Sequence, residues 1–398
     1  MLSFDPTHLG SEFHADPYPT YRMLREQDPV HRCPDGTWFL TRHADLDRIY
    51  RDRRAFSSDK KAAFAPKFGE RSPLYEHHTT SLVFNDPPYH TRIRRAIVGA
   101  LTPQVMKGME PGLAAVIDRL LERIEAQGQF DAIDDFAAAI PVEVIGNLLT
   151  VPAAQRGPLR GWSLAILGAL EPVLTPEQQR RGEAAVTDFL AYLRTLLAER
   201  RRNPPAEDDM LARLLREEGA VEPITESELL HNCVFLLNAG HETTTNLIGN
   251  ALYLLLTHAD QLARLRAQPD LINTAVEECL RCESPNQLGN RLVVEPVQIG
   301  SRLLAPGAYL HLCIGAANRD SQVFPQPDRF DIGRAPNPHL AFAAGGHACA
   351  GMSVARLEGQ LAIRRIISRF PDLRLRGEGV RGARVRFRGF RSLPLSTR

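Results

Sequence analysis

Lysine is nearly missing from this chain, standing only at positions 60, 61, 67 and 107, so arginine supplies almost all the positive charge. The 48 Lys and Arg nearly cancel the 47 Asp and Glu, leaving a formal net charge of +1 at pH 7. That balance excludes a general nucleic-acid binder, which would be strongly basic. No run of 18 apolar residues occurs, so no helix is expected to cross a bilayer. The start, from Met1 to His8, has neither the basic segment nor the apolar run of a secretory signal. A cytoplasmic location without a membrane partner is therefore expected. Repeats and low-complexity tracts are absent too. The six cysteines (33, 233, 279, 282, 313 and 349) are scattered and form no secreted disulfide framework. Cys279-x-x-Cys282 lacks a second Cys or His pair at zinc-finger spacing, and Ala275, Val276 and Leu280 around it read as helix, which disfavours zinc.

What is present is enough for a sizeable core: 43% of the 398 residues are hydrophobic and 24% charged. The pattern predicts helix nearly throughout to about residue 285. Exceptions are a strand at 38–41 and a loop over 56–85, long enough to suggest a function. Residues 180–202 read as a long amphipathic helix. Apolar runs at 291–294, 297–299 and 309–313 then predict short strands. Residues 318–338 show little regular pattern. The fold class is mainly α with a minor β region, without the alternation of a βαβ array. Thr225 and Glu228 form a capping box that opens a central helix running to about residue 258. At ~1.5 Å per residue it spans roughly 45–50 Å. Cys233 to Leu237 is apolar all round, which puts this helix in the core. It then carries a polar cluster from Asn238 to Asn246, costly to bury unless paired or functional. His241-Glu242 does not begin an HExxH zinc motif, because Thr245 stands where the second histidine belongs. Gly240 and Thr243 share a helix face and open a notch for a small ligand. Alternatively, the threonine bonds back to a carbonyl and bends the helix.

The most distinctive stretch is Phe342-Ala-Ala-Gly345-Gly-His347-Ala-Cys349-Ala-Gly351. After it, Val354, Leu357, Leu361 and Phe370 recur at helical spacing, so Cys349 sits just ahead of a helix N-terminus, which favours a thiolate. Glycines at 345, 346 and 351 permit positive φ and close backbone approach to something flat. A thiolate presented by such a loop suits an axial haem ligand; a lone loop cysteine can also be a small buried hydrophobe.

This loop resembles the haem-binding signature FxxGxHxCxG of the cytochrome P-450 family, with Ala343 where the family usually has glycine. Ala239-Gly-x-Glu242-Thr243-Thr matches the family's oxygen-binding pattern, Glu278-x-x-Arg281 its ExxR, and His90-x-x-x-Arg94 its HxxxR. Asn318-Arg-Asp320 and the segment Phe324 to Arg334 resemble the stretch bracketing the ExxR pair. The likeness runs from Pro17 to Pro394 and points to the soluble bacterial type, consistent with the arginine bias of a GC-rich genome. It implies one cytochrome P-450 haem domain over residues 1–398, with the long central helix over haem b (iron protoporphyrin IX) and no fused reductase. Cys349 is then the iron ligand, in a loop shaped by Phe342, Gly345 and Gly351. His90, Arg94, Arg291 and His347 would reach the haem propionates, where charge-assisted hydrogen bonds are strong. Ala239 and Gly240 would form the dioxygen groove, Glu242 and Thr243 would manage protons, and Glu278, Arg281 and Arg334 would form a structural triad.

The resemblance further implies a monooxygenase that inserts one atom of dioxygen into an organic small-molecule substrate. Electrons would come from a separate ferredoxin or flavodoxin with an NAD(P)H reductase. Arg356, Arg364 and Arg365, on the helix after Cys349, either steer such an acidic partner or form a simply solvated face. Pocket walls are expected, by position, from Phe64, Phe68, Leu82, Val83, Leu167, Leu170, Leu236, Asn286, Gln287, Leu288 and Phe390, with Ala239 and Glu242. Such a pocket suits a medium-sized, largely apolar molecule with one polar handle. Two alternatives stay open. A haem sensor or carrier would need no polar groove in the buried helix. A hydrogen-peroxide-driven peroxygenase would replace the acid–alcohol pair that Glu242 and Thr243 keep.

Overall fold

The computed structural model describes residues 3–101, 103–203, 210–216 and 222–398. Its contacts divide into two compact units: residues 1–57, 114–139 and 243–398 form one, residues 58–113 and 140–242 the other.

The first unit carries the strands. Its largest sheet has the order Val30–Arg32, Trp38–Leu40, Tyr309–Cys313, Leu288–Val293, Phe56–Ser57. The pairing of Trp38–Leu40 with Tyr309–Cys313 is parallel and the other pairs are antiparallel. Strand side chains alternate between faces. Leu40, Leu310 and Leu312 join one core cluster with Leu46 and Ile49, while Phe39, Leu288 and Cys313 join another with Tyr21 and Leu24. A second sheet pairs Pro394–Ser396 with both Gln129–Asp131 and Arg374–Leu375. Two helices matter most for the site: Ile272–Cys282, which carries ExxR, and Met352–Arg369, the cysteine helix. Gly359 lets the cysteine helix pack closely, since a Cβ there would lie 3.1 Å from Leu247 and 3.4 Å from Val276.

The cysteine helix is rotated from the register that its leucines suggest. Its buried side is Val354, Glu358, Ala362 and Ile366, at spacings of four, whereas Leu357 and Leu361 are only half-buried. Burial of Gly359, Ile363 and Ile367 widens that stripe. A carboxylic acid thus occupies a core position.

The second unit is helical. Pro176–Arg202 starts with a capping box of Thr175 and Gln178 and lies along Leu159–Gly168, with Trp162 stacked on Phe189 at 4.9 Å. The stretch expected to be a loop over 56–85 instead holds the helices Lys61–Phe68 and Pro73–Thr80 and a 3₁₀ turn, Leu82–Phe84. Pro66 inside the first of these hides it from a pattern search, and Ser72 with Pro73 caps the second. Pro87 and Pro88 lie just before the helix Tyr89–Ala100, Pro88 being its N-cap.

The central helix runs from Glu226 to Thr257, and the division between units falls within it, at Glu242 and Thr243. Its capping box forms as the sequence predicts: Glu228 N–H donates to Thr225 Oγ1 at 3.2 Å, and Thr225 N–H to Glu228 Oε2 at 2.8 Å.

Candidate functional site

Backbone geometry builds the cysteine loop. Cys349 N–H donates to the Phe342 carbonyl at 2.9 Å and Ala348 N–H to the Gly345 carbonyl at 3.1 Å, closing the turn. Gly345 needs φ of +66°, and a Cβ there would lie 2.3 Å from the Tyr50 carbonyl oxygen. Ala343 also takes a left-handed conformation, φ +54°. An L-residue there costs roughly 1–2 kcal/mol, which gives the family's usual glycine its physical reason. Five of the six cysteines are buried, and Cys349 is the half-exposed exception. From Ala341 to Met352 only Ala344 is buried.

Ion pairs back this loop. Arg356 of the cysteine helix donates twice to Glu277, each bond 2.7 Å, and lies over the Phe342 ring at 4.8 Å. His339 Nε2 is 3.1 Å from the same carboxylate. Burial alone would raise the Glu277 pKa, but the His339 and Arg356 hydrogen bonds outweigh it and bring it down to about 2.

Beside that pair, Glu278 and Arg281 are both fully buried. Arg281 donates to both carboxylate oxygens of Glu278 at 2.8 and 2.9 Å, and to the carbonyls of Asn318, Pro327 and Arg329 at 2.9, 2.7 and 3.1 Å. Arg334 Nε adds bonds of 3.1 Å to each Glu278 oxygen, and Asn337 a further one of 3.1 Å. One carboxylate and two guanidiniums thus tie together carbonyls of the irregular segment ahead of the loop. An exposed pair three residues apart could not do this.

The central helix is buried over most of its length but has one open stripe. Between Leu229 and Leu252 only Phe235, Leu236, Ala239, Gly240 and Thr243 are not buried. Steps of three and four along a helix share a face, so Leu236, Ala239, Gly240 and Thr243 line one side, with Ala239 exposed. Glu242 and His241 are buried. Desolvation brings His241 down to about 4, so its ring is neutral at pH 7. Gly240 has a second role: a Cβ there would lie 2.7 Å from Ile145 Cδ1, so the glycine admits a neighbouring helix, and Ala239 is the more open position.

The other expected site residues divide between the two units. In the second unit, His90 is buried and Arg94 half-exposed, one turn apart on Tyr89–Ala100. In the first, Arg291 lies over the Tyr50 ring at 5.2 Å, and His347 is half-exposed. Phe64 and Phe68 are neighbours at 5.3 Å and form an aromatic wall with His78 and Phe84, which the sequence pattern did not single out. Leu82 is buried and its N–H donates to Asn232 Oδ1, while Val83 is half-exposed. Leu167 is buried and Leu170 half-exposed. Three pocket expectations in the first unit meet other uses. Leu288 sits in the sheet core, Gln287 donates to the Ser284 carbonyl, and Phe390 packs on Tyr253 and Arg381. Asn286 bridges to Phe387. Of the three surface arginines, Arg356 holds Glu277 and Arg365 pairs with Asp118 at 2.5 Å. Arg364 is exposed beside a cleft of about 320 Å³ that Arg266, Leu265, Ile272 and Ile367 also line.

The family model described as Cytochrome P450 matches residues 164–376. A biotin biosynthesis cytochrome P450 of Bacillus subtilis is 35% identical over 369 residues, 92% of each chain. The chain belongs to the cytochrome P450 family. The 6-deoxyerythronolide B hydroxylase of Saccharopolyspora erythraea is 36% identical over 93% of this chain and 92% of its own. The structure of P450BioI in complex with hexadec-9Z-enoic acid ligated acyl carrier protein is similar at TM-score 0.92 and 34% identity, covering 98% of this chain and 100% of that one. The protein is therefore a P450 oxidoreductase whose cofactor is haem. Its residues fit that group, with one soft sulfur donor on a half-exposed loop stiffened by turns and ion pairs. No described helix is long and apolar enough to cross a membrane.

Proposed function

We propose that this P450 inserts one oxygen atom of dioxygen into a medium-sized to large, mostly apolar substrate bearing an oxygen-containing handle. The carrying observation is the open stripe on the otherwise buried central helix, with Ala239 exposed at its middle. The names of two related proteins support the substrate class: one is a 6-deoxyerythronolide B hydroxylase, and one is solved with a hexadecenoic acid on its carrier protein. Phe64, Phe68, Phe84 and His78 supply the aromatic wall for such a molecule.

When bound, haem supplies a dioxygen-activating iron to which a cysteine thiolate donates electron density. Cys349 provides that thiolate. His90, Arg94, Arg291 and His347, at the positions where the family pattern places such groups, would hold the haem carboxylates. Thr243, on the open stripe, holds a proton by its hydroxyl where oxygen is reduced. Glu242 points about 100° away on the helix and relays protons from the buried side. Arg364 and Arg365 steer an acidic ferredoxin or flavodoxin, which is fed by an NAD(P)H reductase. The whole chain acts as one haem domain.

The test is a spectral titration of the ferric protein with long-chain fatty acids and macrolactones, followed by turnover under ¹⁸O₂ with ferredoxin, reductase and NADPH. Displacement of haem-bound water and one ¹⁸O atom per product are expected. Product formed with hydrogen peroxide alone would favour a peroxygenase; no turnover with any compound that binds would favour a sensor or carrier.

A further inference from the structure

Glu358 is used by none of these steps, yet its position is unusual. It lies on the buried stripe of the cysteine helix, one turn after Val354 and one turn before Ala362, and is 2% exposed. Its Oε2 faces Thr244 Oγ1 at 3.4 Å, a long contact, and Oε1 is buried without a hydrogen-bond partner. Gly359 beside it is packed on Leu247 and Val276, both apolar. The ionisable groups of the adjoining ExxR helix turn elsewhere: Glu277 to Arg356 and His339, Glu278 to Arg281 and Arg334. No cation faces Glu358 among the described residues; burial raises its pKa to about 8, and the Thr244 hydroxyl opposes that only in part. An apolar residue would fill this position at lower cost, so a neutral acid held here calls for a reason.

Thr244 follows Thr243 directly, on the same turn of the central helix. A group that holds Thr244 therefore fixes the rotation of the helix at Thr243. We propose that Glu358 is a positioning residue: as the uncharged acid it docks Thr244 against the cysteine helix and so sets the direction of the Thr243 hydroxyl. The one unsatisfied oxygen, Oε1, is the atom a single buried water would satisfy. Ionisation in alkaline solution would place an unpaired charge between the two helices and release that setting.

The inference rests on the monooxygenase reading for its purpose, but its test needs no turnover and no substrate. Two infrared signals are read on the haem-loaded protein between pH 6 and 10. One is the carbonyl band of a protonated carboxylic acid. The other is the C–O stretch of the ferrous carbon-monoxide complex, which reports hydrogen bonding at the oxygen site. In the wild type the carbonyl band should disappear with a midpoint near 8, and the C–O stretch should shift with the same midpoint. Glu358→Gln, isosteric and non-titrating, should lack the band and hold one C–O frequency throughout. Thr244→Val should keep the band and move its midpoint upward, because the hydroxyl favours the ionised form. A wild type without the band at pH 7, or a C–O stretch titrating identically in the wild type and in Glu358→Gln, would overturn the proposal. A chain that bound no carbon monoxide at all would instead defeat the haem reading itself, leaving the carbonyl band to be read alone.

Discussion

Replacing Arg281 by alanine tests the structural heart of the site. The substitution removes two bonds to a fully buried carboxylate and leaves the carbonyls of Asn318, Pro327 and Arg329 without this donor. Breaking one partner out of a buried pair costs about 3–5 kcal/mol. Each buried acceptor left unsatisfied adds about 1–3 kcal/mol. Arg334 still faces Glu278 and offsets part of this, so a net loss on the order of 5 kcal/mol is expected. Domains of this kind have only about 5–15 kcal/mol in total, so the variant should accumulate poorly and load little haem. Glu278→Ala should be as severe, since it strands two guanidiniums. Arg281→Lys keeps the charge but loses the planar fork and should be intermediate. The assay is soluble yield, haem-to-protein absorbance ratio and thermal midpoint, all three measured in parallel. Arg281→Ala with wild-type haem content and an unchanged midpoint would refute the reasoning.

Thr243→Ala should still bind substrate and consume NADPH and oxygen, but release mostly hydrogen peroxide, with product per NADPH as the measure. Glu242→Gln should slow turnover several-fold while leaving substrate affinity unchanged, as measured by stopped-flow and binding titration. Because the Glu277 pKa is depressed to about 2, its stabilisation is complete above the ordinary carboxylate value and lost as pH falls from about 4.5 to about 2. Glu277→Gln should therefore destabilise by on the order of 1–2 kcal/mol at neutral pH, a figure discounted for a carboxylate about a quarter exposed, with the gap closing at low pH. Charge reversal at Arg364 and Arg365 should slow reduction by ferredoxin at low salt and converge with the wild type at high salt.

Much of this was legible in the residues because local chemistry and tertiary role agree. Thr225 and Glu228 announce the central helix, and the observed end at Thr257 lies one residue from the expected one. The strands at 297–299 and 309–313 have the expected bounds. Where the two levels disagree, the sequence misleads. Lys61–Phe68 has a proline inside and no clear apolar stripe, so tertiary packing alone makes it helical. Leu357 and Leu361 suggest the wrong side of the cysteine helix, since Glu358 occupies a core position that hydrophobic patterning assigns to apolar residues. The signal was nonetheless present, as Val354, Glu358, Ala362 and Ile366 recur every four residues. The departure at Ala343 was visible as a substitution, but its left-handed backbone was not, because φ belongs to the loop and not to the residue type. The same holds for Leu288 and Phe390, apolar residues whose place in the core or in a pocket depends on neighbours far away in sequence.

The central claim is that the Cys349 sulfur holds the haem iron. The carbon-monoxide difference spectrum of the reduced protein tests it most directly, recorded for the wild type and for Cys349→His. The wild type should show the long-wavelength Soret band of thiolate ligation, and Cys349→His should either fail to bind haem or shift to the shorter-wavelength band of imidazole ligation. A Cys349→His protein that kept the thiolate band would contradict the account and move the ligand to another cysteine.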